Sequence, residues 1–428
     1  MYKITKVVID GFWQEYKADC SFLESVNIII GMNGTGKTTF MNILNAALSA
    51  DPIGLYENEF EQITVTLAFG KSTRTIKVVK KSGFPFPAIT YQIARKSFNF
   101  SLLPPTDESR GMAYSRRRIS QDEIGKIRAE LSSLVSLAAL SVYRFRNLEN
   151  DVPERAPSRR QGPVDARLDE LMQELTKYQL ELSMQAREIS ISLQKEVLMS
   201  LLYQPATEPN QVGYAVDFNA EQEKQNLTSA YRQLGVAGSI ATKRIQEHIN
   251  AVDASVKNIK EYLQVEDTSE DKKAAAKKLD FTPLEANRRA HKVFDMSLDA
   301  EEKIKTVFSQ INVFTEMLSE FITNKKFSFD SGKLVVQHGL NTIAVSRLSS
   351  GEKQLLILFI EALLQRKKPY VFLADEPELS LHIEWQRKIL PAIKRLNPNA
   401  QVIVATHSPE IAAAFPECIM DMEEILYA

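Results

Sequence analysis

Apolar residues near the start of the chain recur with the short periods of strands and helices. Ile4–Asp10 and Val26–Ile30 are runs rich in β-branched residues, bounded by turns, and each predicts a strand. The second run leads into Phe40–Leu48, whose spacing predicts a helix. Glu61–Phe69 and Arg74–Lys80 predict a pair of strands. The start of the chain therefore mixes strands with helices.

The end of the chain returns to the same alternation. Asp330-Ser331-Gly332 separates the runs Lys326–Phe329 and Lys333–Gln337, which indicates a hairpin. Tyr370–Ala374 and Gln401–Ala405 predict buried strands, with a helical stretch between them. Strands alternating with helices at both ends of the chain predict an α/β layered domain with a mixed sheet.

The middle of the chain has a helical pattern instead. Asp165–Tyr203 contains neither Gly nor Pro, and its apolar positions step by three or four residues. A heptad seam is predicted at Ile245, Ile249, Val252, Val256, Ile259 and Leu263. Pro205–Gly213 lies between the two helices, which predicts an antiparallel helical hairpin; a compact helical subdomain is the alternative. Asp299–Thr323 predicts a further helix.

These patterns predict a head that is split by an insertion. Its first part covers residues 1–160, the helical or coiled-coil arm covers 161–280, and the second part of the head covers 281–428.

Composition excludes several classes of protein but does not indicate a particular reaction. The 53 basic and 54 acidic residues nearly cancel, so no overall basic field indicates nucleic acid. Cys20 and Cys418 lie too far apart in sequence to suggest a metal site or a disulfide framework. No apolar run approaches a membrane span, and Met1–Asp10 alternates like a strand rather than a signal peptide. We expect a cytoplasmic protein without a membrane partner.

A phosphate-binding loop follows the strand Val26–Ile30. The segment from Gly31 to Thr39 fits the pattern GxxxxGK[ST], and its candidate ligands are Asn33, Gly34, Thr35, Gly36, Lys37, Thr38 and Thr39. Glycines let main-chain N–H groups turn inward around phosphates, and the following helix directs its N-terminus at the same anion. Lys37 supplies a charge to the β- and γ-phosphates, and the Thr38 hydroxyl is a candidate Mg²⁺ ligand. The sequence therefore predicts ATP and Mg²⁺ as ligands.

Two adjacent carboxylates follow the apolar run Tyr370–Ala374. Ligands of parallel sheets bind at the carboxyl ends of the strands, where Asp375 and Glu376 are expected to lie. We predict that Asp375 holds Mg²⁺ and that Glu376 polarises the attacking water as general base.

Two further segments have open interpretations. Ser349 to Gln354 is a small polar turn that opens an apolar helix, which fits an anion-binding helix start or a simple N-cap. His407 follows the strand Gln401–Ala405; it is either a structural residue or a donor to charge that develops on a γ-phosphate.

Together these segments resemble the ABC ATPases of the SMC, Rad50 and RecF branch. The order matches that family: P-loop, long helical insertion, LSSGEKQ, a strand ending in DEP and a strand ending in THS. The resemblance implies an ATPase with a signature motif at Ser349 and Gly351, which contacts the γ-phosphate on the opposite subunit. It implies that Glu376 and His407 are catalytic, and that residues 378–382 form the D-loop. It also implies a homodimer of heads, and leaves higher oligomers open.

The pattern is most similar to stand-alone ATPase subunits of anti-phage systems, such as AriA of PARIS and PtuA of Septu. That resemblance implies a sensor and scaffold that restrains an effector nuclease of TOPRIM or HNH type until a phage protein triggers it. Because the chain ends at Ala428, soon after His407, we expect the nuclease to be a separate protein.

The sequence also allows two other classes of function, a DNA-repair ATPase and a transporter subunit. An SMC- or RecF-like repair ATPase would bind nucleic acid across its heads, and the candidate contacts are Arg116, Arg117, Arg118, Arg144, Arg146, Arg155, Arg159 and Arg160. The alternative for these arginines is a solvated loop. A transporter subunit is disfavoured by the long insertion. The glutamine loop is unassigned, with Gln62 and Ser141–Arg146 considered. Phe12 and Trp13 are candidates for adenine stacking, and packing in the core is the alternative for both.

Overall fold

The computed structural model describes residues 1–81, 87–102, 112–140, 162–200, 218–236, 238–264 and 276–427. The chain forms two compact units. The first combines Met1–Tyr178 with Gln310–Ala428, and the second is Gln179–Ser309.

Strands are confined to the first unit in the described part of the chain. They are β1 (Lys3–Phe12), β2 (Tyr16–Ser21), β3 (Val26–Ile30), β4 (Gln62–Phe69), β5 (Ser72–Lys81), β6 (Ala88–Ile93), β7 (Lys96–Ser101), β8 (Leu137–Leu140), β9 (Lys326–Asp330), β10 (Lys333–His338), β11 (Asn341–Ile343), β12 (Tyr370–Asp375), β13 (Ala400–Ala405), β14 (Ile419–Asp421) and β15 (Leu426–Tyr427).

Helices occur in both units. They are α1 (Lys37–Ser49), α2 (Pro52–Glu57), α3 (Met112–Leu134), α4 (Pro163–Ser200), α5 (Ala220–Gln233), α6 (Ser239–Gln264), α7 (Thr282–Phe321), α8 (Ser350–Leu364), α9 (Ile383–Leu396), α10 (Pro409–Ala412) and α11 (Met422–Ile425). No described helix is both long and apolar enough to cross a membrane.

A five-stranded parallel sheet lies at the centre of the first unit, in the order β14-β3-β13-β12-β8. Every residue of β12 and β13 is buried, as expected for parallel strands that are covered on both faces. These are the strands that the apolar runs at residues 370–374 and 401–405 predict. The sheet places the ends of β3, β12 and β13 side by side.

A seven-stranded antiparallel sheet packs beside the parallel sheet, in the order β15-β2-β1-β4-β5-β6-β7. Helix α1 contributes Phe40 and Ile43 to the shared core, where Ile63 of β4 and Leu373 of β12 are also fully or almost fully buried. The Gln401 side chain joins the sheets: its amide accepts from Ile4 N (2.7 Å) and donates to Ile4 O (2.6 Å). The α/β fold is confirmed, with its parallel and antiparallel strands in separate sheets.

The predicted hairpin before the signature segment is also confirmed. Strands β9 and β10 pair antiparallel, and β11 extends them into a three-stranded sheet. Ser331 (φ 49°) and Gly332 (φ 80°) occupy the turn with left-handed backbones, which is the conformation that a two-residue hairpin loop requires.

The elements described in the second unit are helices, and their details differ from the prediction. Helix α5 was not predicted, and α7 begins at Thr282 rather than Asp299. Ile245 and Ile249 of α6 pack against Leu227 of α5, and Val252 and Val256 pack against Leu284 of α7. The last predicted seam residue, Leu263, is 66% exposed. The expected turn at Pro205–Gly213 lies outside the described residues.

Candidate active site at the edge of the parallel sheet

Three functional segments meet at one edge of the parallel sheet. Strand β13 lies between β3 and β12 and is parallel to both, so all three strands end on the same side. Residues 31–39 follow β3, Glu376 follows β12, and Thr406 and His407 follow β13. This edge is the place where parallel α/β sheets bind ligands.

Lys37 points its ammonium into the loop that precedes α1. Its residue is 4% exposed, and Nζ donates to Gly31 O (2.8 Å) and Met32 O (3.0 Å). Burial lowers the pKa of Lys37, and the negative charges of Glu376 and Asp375 oppose that shift. Its acceptors in the loop are neutral carbonyls, so a phosphate would be a stronger, charge-assisted partner.

The loop needs glycine at two of its positions. Gly34 (φ 87°) and Gly36 (φ 96°) have left-handed backbones, which side chains with a Cβ rarely adopt. A Cβ at Gly36 would also lie 3.0 Å from the rings of Phe12 and Trp13. The N-cap Gly36 gives α1 no side-chain cap, so the first N–H groups of the helix are directed at any anion in the loop.

Thr38 and Asp375 supply a pair of oxygen atoms suited to a hard cation. The Thr38 hydroxyl donates to Asp375 Oδ1 at 3.3 Å. Burial raises the pKa of Asp375, and the Thr38 hydroxyl counteracts the shift. Magnesium in nucleotide sites is held by one or two protein oxygens together with phosphate oxygens and water. The donor set therefore fits Mg²⁺ bound with a nucleotide, whereas no described cluster of three His, Cys, Asp or Glu side chains forms a metal site by itself.

Glu376 and His407 form a pair beside Lys37. The His407 Nε2 lies 3.3 Å from Glu376 Oε1, and His407 Nδ1 lies 3.4 Å from Lys37 Nζ. Burial, followed by the neighbouring Glu378 carboxyl, raises the pKa of Glu376 to about 8. A carboxylate whose pKa lies near neutrality has the proton affinity that a general base requires. Burial and the charge of Lys37 lower the pKa of His407.

The backbone of Glu376 is held in an unusual conformation. Its φ of 48° is left-handed, which costs a residue with a side chain about 1–3 kcal/mol. The Glu376 N–H donates to Ala405 O at 2.9 Å, so the turn is fixed against β13. Strain of this kind concentrates at functional sites.

The segment with the motif LSSGEKQ starts α8 with a capping box. The Ser349 hydroxyl accepts from Glu352 N (3.3 Å), and the Glu352 carboxylate accepts from Ser349 N (2.9 Å). A Cβ at Gly351 would lie 2.4 Å from the Ser380 carbonyl oxygen. Ser349 is thus the N-cap of α8. The close approach of residue 380 explains why the position holds glycine.

Ion pairs tie the start of α8 to the ends of the two longest helices. Glu352 pairs with Lys325, just after α7, at 2.6 Å, and both side chains are nearly buried. Lys353 pairs with Asp165 in the first turn of α4 at 2.7 Å. The start of α8 is therefore fixed by residues on both sides of the helical insertion.

The profile of the AAA ATPase domain family (AAA_15) matches residues 2–412, a span that includes every one of these site residues. The chain belongs to the AAA ATPase domain family. The match covers both chain segments of the first unit up to residue 412 and the helical unit inserted between them.

Two curated relatives share parts of this AAA ATPase. The "Retron Ec83 probable ATPase" of Escherichia coli is 30% identical over 141 residues, which are 30% of this chain and 26% of the relative. The "Septu protein PtuA" of Bacillus thuringiensis is 47% identical over 51 residues, 11% of this chain and 13% of the relative. The matches thus span about a quarter or less of the length of these relatives.

Solved structures of Smc heads are also similar to the AAA ATPase. One is the Smc head domain with an extended coiled coil from Pyrococcus furiosus, bound to the C-terminal domain of ScpA. It has a TM-score of 0.41 and 14% identity, and the alignment covers 97% of this chain and 92% of that chain. The Smc head domain with a coiled coil and joint from Pyrococcus yayanosii has a TM-score of 0.40, 14% identity and coverages of 97% and 94%.

The remaining sequence candidates lie at several places in the fold. Gln62 of the AAA ATPase donates to Asp10 Oδ2 at 3.2 Å, in the antiparallel sheet, which gives no support for a glutamine loop there. Trp13 is 37% exposed beside Gly36, whereas Phe12 is fully buried. Ser141–Arg146, Arg155, Arg159 and Arg160 lie outside the described residues, as do the side chains of Arg116, Arg117 and Arg118.

Sequence reasoning missed the contacts of Glu378 within its own chain, because it assigned the residue only to the D-loop. Its side chain is buried, and one oxygen accepts from the main chain of His407 (3.2 Å) and Ser408 (3.1 Å). The signal in the sequence is an acid two residues beyond Glu376. A carboxylate at this position suggests nothing specific until the strand order places it against residues 406–408.

Proposed function

We propose that this AAA ATPase binds ATP with Mg²⁺ and hydrolyses it at a site that a second copy of the chain completes. The observation that carries the proposal is the meeting of Lys37, the Thr38–Asp375 pair and the Glu376–His407 pair at one edge of the sheet. Each of these groups has the chemistry that phosphoryl transfer to water needs.

In this mechanism the protein positions the nucleotide and moves one proton. The N-terminus of α1 and Lys37 hold the phosphates, and Trp13 is placed to stack on the adenine. Thr38 and Asp375 would hold Mg²⁺, which would supply positive charge to the phosphates. Glu376 takes a proton from the attacking water, and His407 donates a hydrogen bond to the charge that develops on the γ-phosphate.

The signature segment is proposed to act on the nucleotide of the partner head. In its own chain, Ser349 bonds to Glu352, and Gly351 lies against Ser380. The helix start it forms has the geometry of an anion site. Two heads that face each other would therefore form two composite sites, each with the P-loop of one subunit and Ser349 and Gly351 of the other.

We further propose that the ATPase cycle lets the protein act as sensor and scaffold for a separate effector nuclease in anti-phage defence, with a phage protein as trigger. The match to the Septu protein PtuA and to a retron ATPase supports this placement. Co-expression with the proteins encoded beside it tests the idea: a nuclease should co-purify, and a neighbourhood that yields none would contradict it.

Complementation between two inactive variants tests the composite site. Lys37→Ala damages the P-loop, and Ser349→Arg blocks the signature surface. Each variant alone should be inactive. Mixed together, they should recover part of the hydrolysis, because one site of each mixed dimer has an intact P-loop and an intact signature. Mixing Lys37→Ala with Glu376→Gln is the matched control, since both changes damage the P-loop side and no site is restored.

Failure of the first mixture to recover activity would contradict the composite site, provided that light scattering shows mixed dimers. Should every protein stay monomeric with ATP and Mg²⁺, including Glu376→Gln, the proposed dimer is wrong.

A further inference from the structure

Glu378 lies in the turn that follows β12 and is 8% exposed. Its Oε1 accepts three hydrogen bonds from consecutive residues of the loop that follows β13. The donors are the hydroxyl of Thr406, the main-chain N–H of His407 at 3.2 Å and that of Ser408 at 3.1 Å. Donors on three successive residues, converging on one oxygen, fix the path of that loop.

Main-chain hydrogen bonds to neighbouring segments hold this loop as far as Thr406, and the Ser408 hydroxyl donates to Gln386 Oε1 at 2.7 Å. Glu376 N donates to Ala405 O (2.9 Å), and Thr406 N donates to Ile29 O (3.0 Å). Beyond Thr406, the main-chain contacts of His407 are to the carboxylates of Glu376 (3.3 Å) and Glu378. Glu378 therefore holds the main chain of His407, one residue beyond Thr406.

Burial of a carboxylate costs free energy that its hydrogen bonds must offset. Glu378 Oε2 is buried and has no hydrogen-bond partner in the described part of the chain. The three hydrogen bonds on Oε1 offset part of that cost, and their convergence on one buried oxygen makes Glu378 the anchor of residues 406–408.

We propose that Glu378 is a positioning residue: it fixes the main chain of residues 406–408 and so sets the His407 imidazole between Lys37 and Glu376. The inference rests on the proposed function of Glu376 and His407 in hydrolysis. It assigns Glu378 a role inside its own subunit, in addition to any part that residues 378–382 take across a dimer.

Steady-state ATP hydrolysis by the full chain tests the role. Glu378→Ala removes the common acceptor, so kcat should fall about 10- to 100-fold, because small misplacements of catalytic groups have effects of that size. The KM and the binding of a fluorescent ATP analogue should stay close to wild type, since the P-loop is untouched. Glu378→Gln keeps an acceptor oxygen at the same place and should recover most of the lost kcat.

Glu410→Ala is the matched control. Glu410 lies three residues beyond His407 and pairs with the exposed Arg387, at 3.0 Å from its Nη2. Its removal takes a carboxylate from the same region without touching the donors of residues 406–408. Hydrolysis by this variant should match wild type.

Three results would overturn the inference. They are a wild-type kcat in Glu378→Ala, a loss in Glu378→Gln as large as in Glu378→Ala, and a loss of nucleotide binding that accounts for the whole defect. If thermal melting shows that Glu378→Ala does not fold, Thr406→Val carries the test. It should lower kcat without changing KM, and a wild-type kcat would overturn the role.

The failure of the proposed function is distinguishable from these results. A wild-type chain that does not hydrolyse ATP, or a Glu376→Gln variant that hydrolyses it at the wild-type rate, would overturn both ideas together. If Glu376→Gln loses ATP hydrolysis and Glu378→Ala hydrolyses ATP at the wild-type rate, only the role of Glu378 is overturned.

Discussion

The edge of the parallel sheet and the helical unit of the same chain differ in how tightly their side chains are packed. At the sheet edge, polar groups project from strands whose residues are all buried, such as β12 and β13. In the helical unit, small apolar clusters hold α5, α6 and α7 together. Large apolar side chains such as Leu180, Met184 and Leu198 remain exposed on α4.

The difference indicates where precision is needed. A catalytic group must be held within a fraction of an ångström, which a close-packed sheet core provides. The comparison predicts that substitutions at the sheet edge change rates, whereas substitutions in the arm change the stability of the arm and leave nucleotide binding to the head intact.

The largest effect is expected at Glu376. Glu376→Gln removes the proton acceptor while keeping the shape of the side chain, and general-base catalysis contributes about 10²- to 10⁴-fold to a rate. We expect kcat to fall by that factor, while ATP binding, measured with a fluorescent analogue, stays intact. A change to Gln at the exposed Glu384 should leave kcat unchanged. Normal turnover by Glu376→Gln would show that another group takes the proton.

The next largest effect is expected at Ile249 in the arm, where a substitution should lower the free energy of unfolding rather than kcat. Its side chain is 2% exposed in the cluster with Leu227 and Ile245, and Ile→Ala in a core costs about 2–5 kcal/mol. Hydrogen exchange should show faster opening of α5 and α6. ATP binding at Lys37 should keep its wild-type affinity. Loss of ATP binding would instead show that the two units unfold together. Substitutions in the arm would then not leave nucleotide binding intact.

The buried strands of the head could be predicted from the sequence more completely than the packing of the helices in the arm. Strands β3, β12 and β13 were predicted nearly to the residue, because continuous apolar runs leave few alternatives. The role of Glu378 depends on β12 and β13 being neighbours, which local patterns do not encode. In the arm, the heptad pattern of α6 was found, but its partners were not. An apolar face shows that a helix is covered, not which helix covers it.

A smaller effect is expected at Gly351. An alanine Cβ there would lie 2.4 Å from the Ser380 carbonyl oxygen, and overpacking of this kind costs about 1–3 kcal/mol. Thermal melting should show the loss, and hydrolysis should fall because residues 376–381 must shift. Gly125→Ala in α3 is the control: nothing lies within 4 Å of its added Cβ, so it should be neutral or stabilising by up to about 1 kcal/mol. Equal melting temperatures for the two variants would contradict the close approach of Ser380.

The smallest effect is expected at Leu263, and it tests the arm most directly. The heptad pattern places Leu263 on the packed seam, but the structure leaves it 66% exposed. Leu263→Gln should therefore change the free energy of unfolding by no more than about 0.5 kcal/mol. Val256→Gln, at a seam position that is 6% exposed, should cost several times more, because it buries an amide among apolar side chains. Equal costs at the two positions would mean that Leu263 is covered in the assembled protein. The seam would then continue into a contact that the described residues of one copy do not make.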